Sequence, residues 1–275
     1  MKPLFRWTCG PCLQQGLDIL VESIDRTMSA LGEDQFDWMI CYNGLNSDQL
    51  DFLKHASEGR SITFEPQNWT DCAIPDRHGS PVRPDGSFEW NGNVCGGTLW
   101  KVAPARKRIE AHEIVMDNDI VMLRALPMIE EFLAATNKVM ILEEPIRFYG
   151  HYDKFHSSDP PFLNSGLMGF PPGYDYAAAL RNKWEETAEY DHDQGKKLPL
   201  FNISQADEQG LLMLALNEYP DQIRVGTEYV HEVLGKDYNK KITGSEYAIH
   251  FTQANRMPGH HTWLKYQQIV NNAVF

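Results

Sequence analysis

Ile114-Val115-Met116-Asp117-Asn118-Asp119 joins a short apolar run to two carboxylates spaced i, i+2. The apolar part reads as a buried strand, and the carboxylates stand where that strand emerges. There they present hard oxygen ligands to Mg²⁺ or Mn²⁺ and leave coordination positions for a diphosphate. The same residues also suit a polar turn, in which Asp and Asn bond their own backbone.

Immediately upstream, Lys101, Arg106, Lys107 and Arg108 place four cations within eight positions of an otherwise acidic chain. The pattern predicts a helix over about 98–110, with Lys101 and Arg108 near two turns apart on one face and Arg106 displaced from it. A charge run is ordinarily a solvated face. Beside a cation site it also supplies the positive charge a diphosphate needs.

Further out, strand and helix alternate. Residues 3–8 read as extended, and Leu13, Leu17, Leu20, Val21, Ile24, Met28 and Leu31 recur at helical spacing up to Gly32, a helix-ending residue. Phe36–Cys41 is a second apolar strand, Asn46 or Ser47 caps a helix to about His55, and Ile62–Phe64 is a third strand. Pro127 suits the first turn of a helix to about Ala135, and Val139–Leu142 is another strand. Phe162–Phe170 is extended, helices follow over about 176–190 and from Asp207 to about Leu216, and Tyr247–Phe251 is a late strand. This alternation predicts an α/β fold with a mixed, mostly parallel central sheet, helices on both faces, and ligands at the C-terminal strand ends. Residues 66–97, rich in Pro and Gly, interrupt it as a long loop.

The chain has 275 residues, of which 38 are acidic and 25 are Lys or Arg, for a formal net charge of −13. That charge disfavours a nucleic-acid polymer as partner. At this length about three-quarters of the unfolded surface can be buried, so five cysteines are not needed as a disulfide framework. No repeat or linker divides the chain, which predicts one domain over 1–275. No apolar run is long enough to span a bilayer, and the first residues lack a signal-peptide pattern, which places the expected protein in the cytoplasm. Asn68 and Asn202 begin glycan-acceptor triplets that read as chance matches.

Taken in order, the opening strand and helix, the basic segment leading into Asp117-Asn118-Asp119, Asn164-Ser165-Gly166, Asp207-Glu208-Gln209 and His250-Phe251 resemble nucleotide-sugar glycosyltransferases of the GT-A fold. The likeness leans toward the retaining enzymes of family 8 and covers most of the chain. It implies a Rossmann-like single domain, a nucleoside diphosphate-sugar donor, most naturally a UDP-sugar, Mn²⁺ or Mg²⁺ as cofactor, and a glycan or small-molecule acceptor. Self-association is compatible with it. By the same resemblance Asp117 and Asp119 hold the cation, and His250 completes the shell. The family's later Gly and Lys-Pro-Trp are replaced here by Arg256-Met257-Pro258-Gly259-His260, so His260 and His261 stand as rival ligands. The resemblance puts Asn164, Ser165 and Gly166 against the donor sugar, with Asn118, Lys101, Arg106 and Arg108 around the diphosphate. Glu208 or Asp207 falls near the anomeric carbon. Arg6, Trp7 and Thr8, joined by Asn43, occupy the place that grips base and ribose, with Trp7 stacking on uracil.

One motif competes. Cys9-Gly10-Pro11-Cys12 matches the thioredoxin redox tetrapeptide. The surrounding chain does not fit that fold, so Gly10-Pro11 reads as a turn that starts a helix with Pro11 at its first position. A redox role requires a depressed thiol pKa. The glycines Gly92, Gly96 and Gly97 form no complete phosphate-loop signature, and no serine-triad or zinc motif is present. The remaining alternatives are a nucleotidyltransferase that makes an activated sugar and a non-catalytic nucleotide-sugar or carbohydrate-binding protein.

Overall fold

The computed structural model describes residues 1–67, 88–90, 93–95, 101, 105–195, 207–233, 242–243, 245–252 and 261–272. Its strands are β1 (Leu4–Cys9), β2 (Asp37–Tyr42), β3 (Ile62–Pro66), β4 (Phe88–Trp90), β5 (Asn93–Cys95), β6 (Glu113–Asp117), β7 (Ile120–Met122), β8 (Val139–Glu144), β9 (Phe162–Phe170), β10 (Gln222–Val225), β11 (Val230–Glu232) and β12 (Ala248–His250). The α-helices are α1 (Gln14–Leu31), α2 (Ser47–Ala56), α3 (Pro127–Ala134), α4 (Tyr176–Asp193), α5 (Asp207–Asn217) and α6 (His261–Asn272), and a 3₁₀ helix spans Gly150–Phe155.

Seven strands form one sheet in the order β10-β8-β9-β6-β1-β2-β3. All neighbours are parallel except β9, which runs antiparallel between β6 and β8. Both faces are covered, which makes β1 buried at every position and gives it no solvent-facing side. Phe5, Trp7, Ile114, Met116 and Met140 pack on one face with Leu17, Leu20 and Ile24 of α1 and with Phe132 of α3. Val115, Ile141, Met168 and Phe170 point to the other, under Leu180 and Trp184 of α4 and Leu211 and Leu212 of α5.

Local signals set the helix ends. Gly32 closes α1 with φ 89°, a backbone conformation that only glycine adopts without strain. Asn46 opens α2 with a capping box: its side chain accepts from the Gln49 backbone, and the Gln49 side chain accepts from the Asn46 backbone. Pro127 stands in the first turn of α3. Pro11 does not play that part, because α1 begins only at Gln14.

The helix expected over 98–110 is absent from 105–110, which run as an irregular segment before β6. The reason is that main-chain and buried acidic groups capture its cations and amides one by one. Glu113 accepts from the Lys107 and Arg108 amides, each at 2.8 Å. Arg106 donates to the Ala111 and Tyr174 carbonyls at 2.6 and 2.5 Å, and Arg108 pairs with Asp37 at 2.6 Å. The parts of the expected loop and helix at 68–87, 91–92, 96–100 and 102–104, with Gly92, Gly96 and Gly97, lie outside the described residues, as do Asn68, Asn202 and His260.

His156 stacks on Tyr149 with ring centroids 3.7 Å apart and places Nε2 2.9 Å from the Gly210 carbonyl. Burial pushes its imidazole down from 6.5 to about 4, a shift only partly offset by that carbonyl. A base whose folded pKa is depressed stabilises the fold above the unfolded pKa and loses that contribution as pH falls. Stability measured by urea should therefore decline from pH 6.5 toward about 4, and the decline should be shallower in His156→Phe. Equal slopes for the two proteins would dismiss His156 as the source.

Candidate active site

Asp117 is the last residue of β6, Asn118 and Asp119 make the turn, and β7 leads the chain away. β12 runs antiparallel to β7 and sets His250 opposite Ile120. The Phe251 amide donates to the Asp119 carbonyl at 2.8 Å, which fixes the turn against the late strand. Asp117, Asp119 and His250 thereby offer three ligand atoms within 4.8 Å of one another. His250 Nε2 lies 3.3 Å from Asp119 Oδ1. Burial works against an imidazolium at His250, but the hydrogen bond and charge of Asp119, with Glu232 and Asp117, outweigh it and hold the group at about 9. Two carboxylates and one imidazole make a donor set suited to Mn²⁺ or Mg²⁺. His260 lies outside the described residues, and so does the side chain of His261.

Beside this cluster Lys101, itself buried, places Nζ 2.7 Å from Asp117 Oδ1 and 2.9 Å from Ser165 Oγ. Ser165 belongs to β9, where Asn164, Ser165 and Gly166 pass the metal cluster. Gly166 is needed for closeness rather than for a special backbone angle. A Cβ there would stand 2.8 Å from Asn164 Oδ1, 3.0 Å from Ile120 Cδ1 and 3.3 Å from His250 Cε1. Gly166→Ala should thus disturb Asn164 and His250 together, weakening Mn²⁺ binding measured by titration calorimetry while leaving the circular dichroism spectrum intact. Unchanged affinity would show that this approach is slack.

Two polar residues complete the site. The Gln209 Nε2 group donates to Glu144 Oε1 at 2.8 Å and to the Phe148 carbonyl at 3.0 Å. Its Oε1 lies 3.4 Å from both the Ser165 amide and Ser165 Oγ. Asn164 Nδ2 donates to Glu144 Oε2 at 2.6 Å, and Asn164 Oδ1 accepts from the Gly166 amide at 2.5 Å. Burial pushes the Glu144 carboxyl up to about 8, against the pull of the Asn164 hydrogen bond; Glu232 adds to the rise, and His250 and Gln209 oppose it. Glu144 carried no motif in the sequence, standing simply as an acidic residue before Pro145. Gln209 was in view beside Glu208, but an amide advertises no charge.

Other expected residues are placed elsewhere. Arg6 is fully buried, 2.6 Å from Glu113, with Nη2 3.0 Å from the Ala105 carbonyl. Trp7 is sealed in the core, stacked on Trp38 at 5.6 Å, with its indole N–H donating to Ser23 Oγ at 3.0 Å. Both lie buried in mid-strand, because β1 continues to Cys9. Arg106 and Arg108 are committed to the scaffold contacts given above. Thr8 pairs in register with Asp117 and stays at the site edge, although buried. Asn43 spends its side chain on the Gln67 carbonyl. Asp207 is buried and accepts from the His151 amide at 2.7 Å, with His151 Nδ1 2.8 Å away, so it anchors the start of α5. Glu208 is also buried. The residue of that helix turn which meets Ser165 is Gln209.

Cys9 ends β1, and Cys12 stands just before α1. Cys9 is buried, and a hydrogen bond with Cys9 together with burial raises the Cys12 thiol well above 9. That is the reverse of the depression a nucleophilic thiolate needs.

No family model matches the chain, and no curated protein matches it in sequence. Solved structures do match in shape. The galactosyltransferase LgtC, in complex with donor and acceptor sugar analogues, is 10% identical and aligns over 98% of this chain and 96% of its own with a TM-score of 0.53. The glycosyltransferase GlyE of Streptococcus pneumoniae TIGR4 is 11% identical, with a TM-score of 0.54 over 98% of this chain and 62% of its own. Mouse xyloside xylosyltransferase 1 is 9% identical, with a TM-score of 0.56 over 93% of this chain and 99% of its own. Identity this low speaks for architecture alone, and the architecture, a mostly parallel seven-stranded sheet with one antiparallel strand inserted beside the carboxylate turn, is the GT-A fold of nucleotide-sugar glycosyltransferases.

Proposed function

We propose that the chain is a single-domain, metal-dependent glycosyltransferase that moves a sugar from a nucleoside diphosphate donor, UDP-linked, to a glycan or small-molecule acceptor. The observation that carries this reading is the gathering of Asp117, Asp119 and His250 at the β6 end of a GT-A sheet. A divalent cation held there would neutralise charge growing on the leaving diphosphate. Lys101 lies against Asp117 and Ser165, where its ammonium adds to that stabilisation from the sugar side. Asn164, Ser165 and the bare Gly166 let backbone approach the donor sugar. Gln209 presents its carbonyl oxygen toward Ser165, where it can stabilise positive charge developing at the anomeric carbon. An amide is neither a base nor a ready nucleophile, which favours retention of configuration. No described helix is long and apolar enough to cross a membrane. The free thiols of Cys9, Cys12 and Cys41 support a reducing compartment, the cytoplasm.

The test is incubation with a panel of UDP- and GDP-sugars, with and without Mn²⁺, reading nucleoside diphosphate released. Pyrophosphate released from a nucleoside triphosphate and sugar phosphate would instead mark a nucleotidyltransferase. Donor binding with no turnover across a broad acceptor panel would mark a binding protein.

A further inference from the structure

We propose that Glu144 is a positioning residue that sets the polarity of the Gln209 and Asn164 amides, so that the carbonyl end of Gln209 is the one turned toward Ser165 and the site. The inference deepens the transferase reading above and rests on it for its kinetic consequence.

The two ends of a carboxamide differ little in shape and oppositely in charge, so its polarity must be fixed by neighbours. Glu144 ends β8, is buried, and receives one amide N–H on each oxygen, Asn164 at 2.6 Å and Gln209 at 2.8 Å. In its ionised form, which these two N–H donors favour, the carboxylate offers no donor, and an amide carbonyl turned toward it would meet only lone pairs. The second Gln209 N–H is taken by the Phe148 carbonyl at 3.0 Å, another group that only accepts. Both N–H bonds of Gln209 are therefore spent away from the sugar side, and Oε1 is left to Ser165, whose hydroxyl also receives the Lys101 ammonium. Asn164 is locked in the same sense, since its Oδ1 takes the Gly166 amide. β8, β9 and α5 thus present one arranged dipole to the centre where positive charge would develop.

Glu144→Gln is the informative change, because it preserves shape and replaces one acceptor by a donor. The new side chain can satisfy only one of the two amides, and the other must turn or lose its partner. The expected result is a fall in kcat of about tenfold or more, the scale of one misdirected dipole at a reacting centre. The donor KM should stay within about threefold, since the metal and diphosphate contacts are untouched. Glu144→Asp keeps an acceptor-only group and should recover most of the loss. A residue that merely supported the fold would lower Tm in both variants without separating kcat from KM.

A second readout needs no turnover: side-chain amide ¹H–¹⁵N resonances of Gln209 and Asn164 should shift in Glu144→Gln and hold near their wild-type positions in Glu144→Asp. Wild-type kcat in Glu144→Gln, or unmoved resonances, would overturn the proposal. If the wild-type protein turns over no donor, the transferase reading fails by itself, and the resonances alone decide the role of Glu144.

Discussion

Asp119→Ala should leave a folded protein that releases nucleoside diphosphate from its donor about 10²–10³ times more slowly at saturating Mn²⁺, the scale of losing one strong electrostatic element from a catalytic site. The argument is local. The Asp119 side chain supplies one oxygen of the Asp117, Asp119 and His250 set and lies 3.3 Å from His250 Nε2. Its carbonyl, which accepts from the Phe251 amide, survives the substitution, so the contact between the turn and β12 is kept. The loss should therefore appear in metal affinity and turnover and hardly in Tm without metal. Mn²⁺ titration by calorimetry checks the first and a coupled nucleotide assay the second. Full activity in the variant, or in wild-type enzyme with excess chelator, would remove the cation from the reaction.

The largest effect on stability is expected at Glu113. Its two oxygens receive the Arg6 guanidinium at 2.6 Å and the Lys107 and Arg108 amides, each at 2.8 Å, all without exposure of the carboxylate. Burial opposes the Arg6 charge, and Glu113, together with Cys41, more than offsets that opposition. Removing the carboxylate leaves a buried guanidinium without its charge partner, along with two amides without their acceptor. Losing one partner of a buried pair costs roughly 3–5 kcal/mol. Glu113→Ala should lower the urea midpoint accordingly at an unchanged m-value. Replacing both Arg6 and Glu113 by leucine removes the stranded charge but not the stranded amides, so the double variant should regain only part of the loss. A change under about 1 kcal/mol for Glu113→Ala, ordinary for a surface residue, would defeat this account.

What the sequence made legible was local. The period of α1, the cap at Asn46, the proline of α3 and the apolar runs of the long strands are written within a few residues of where they act. The three-residue strands β7 and β11 were not visible, because their hydrogen-bond partners lie far away along the chain. The basic run misled for a related reason: its spacing suits a helix, but Glu113, Asp37 and several carbonyls capture its charges and force an irregular path. Trp7 and Arg6 lie in mid-strand rather than at the base and ribose edge that the resemblance implies, and a strand buried on both faces offers no alternation to mark its end. Asp117, Asp119 and His250 were readable through order along the chain. Glu144 and Gln209 act through orientation, which composition does not record.

The pairing of β12 with β7 has a consequence for assembly. Two of the cluster's side chains lie on the turn that joins β6 and β7, whereas the third comes from β12, far along the chain. A nascent chain without β12 holds two carboxylates close to Lys101 and lacks the imidazole, so it should bind a divalent ion weakly. Tight binding then reports the docking of β12 on β7, and by linkage the ion favours that docking, because it binds the docked state better than the undocked one. A cation at this turn would thus hold together two segments that are distant along the chain.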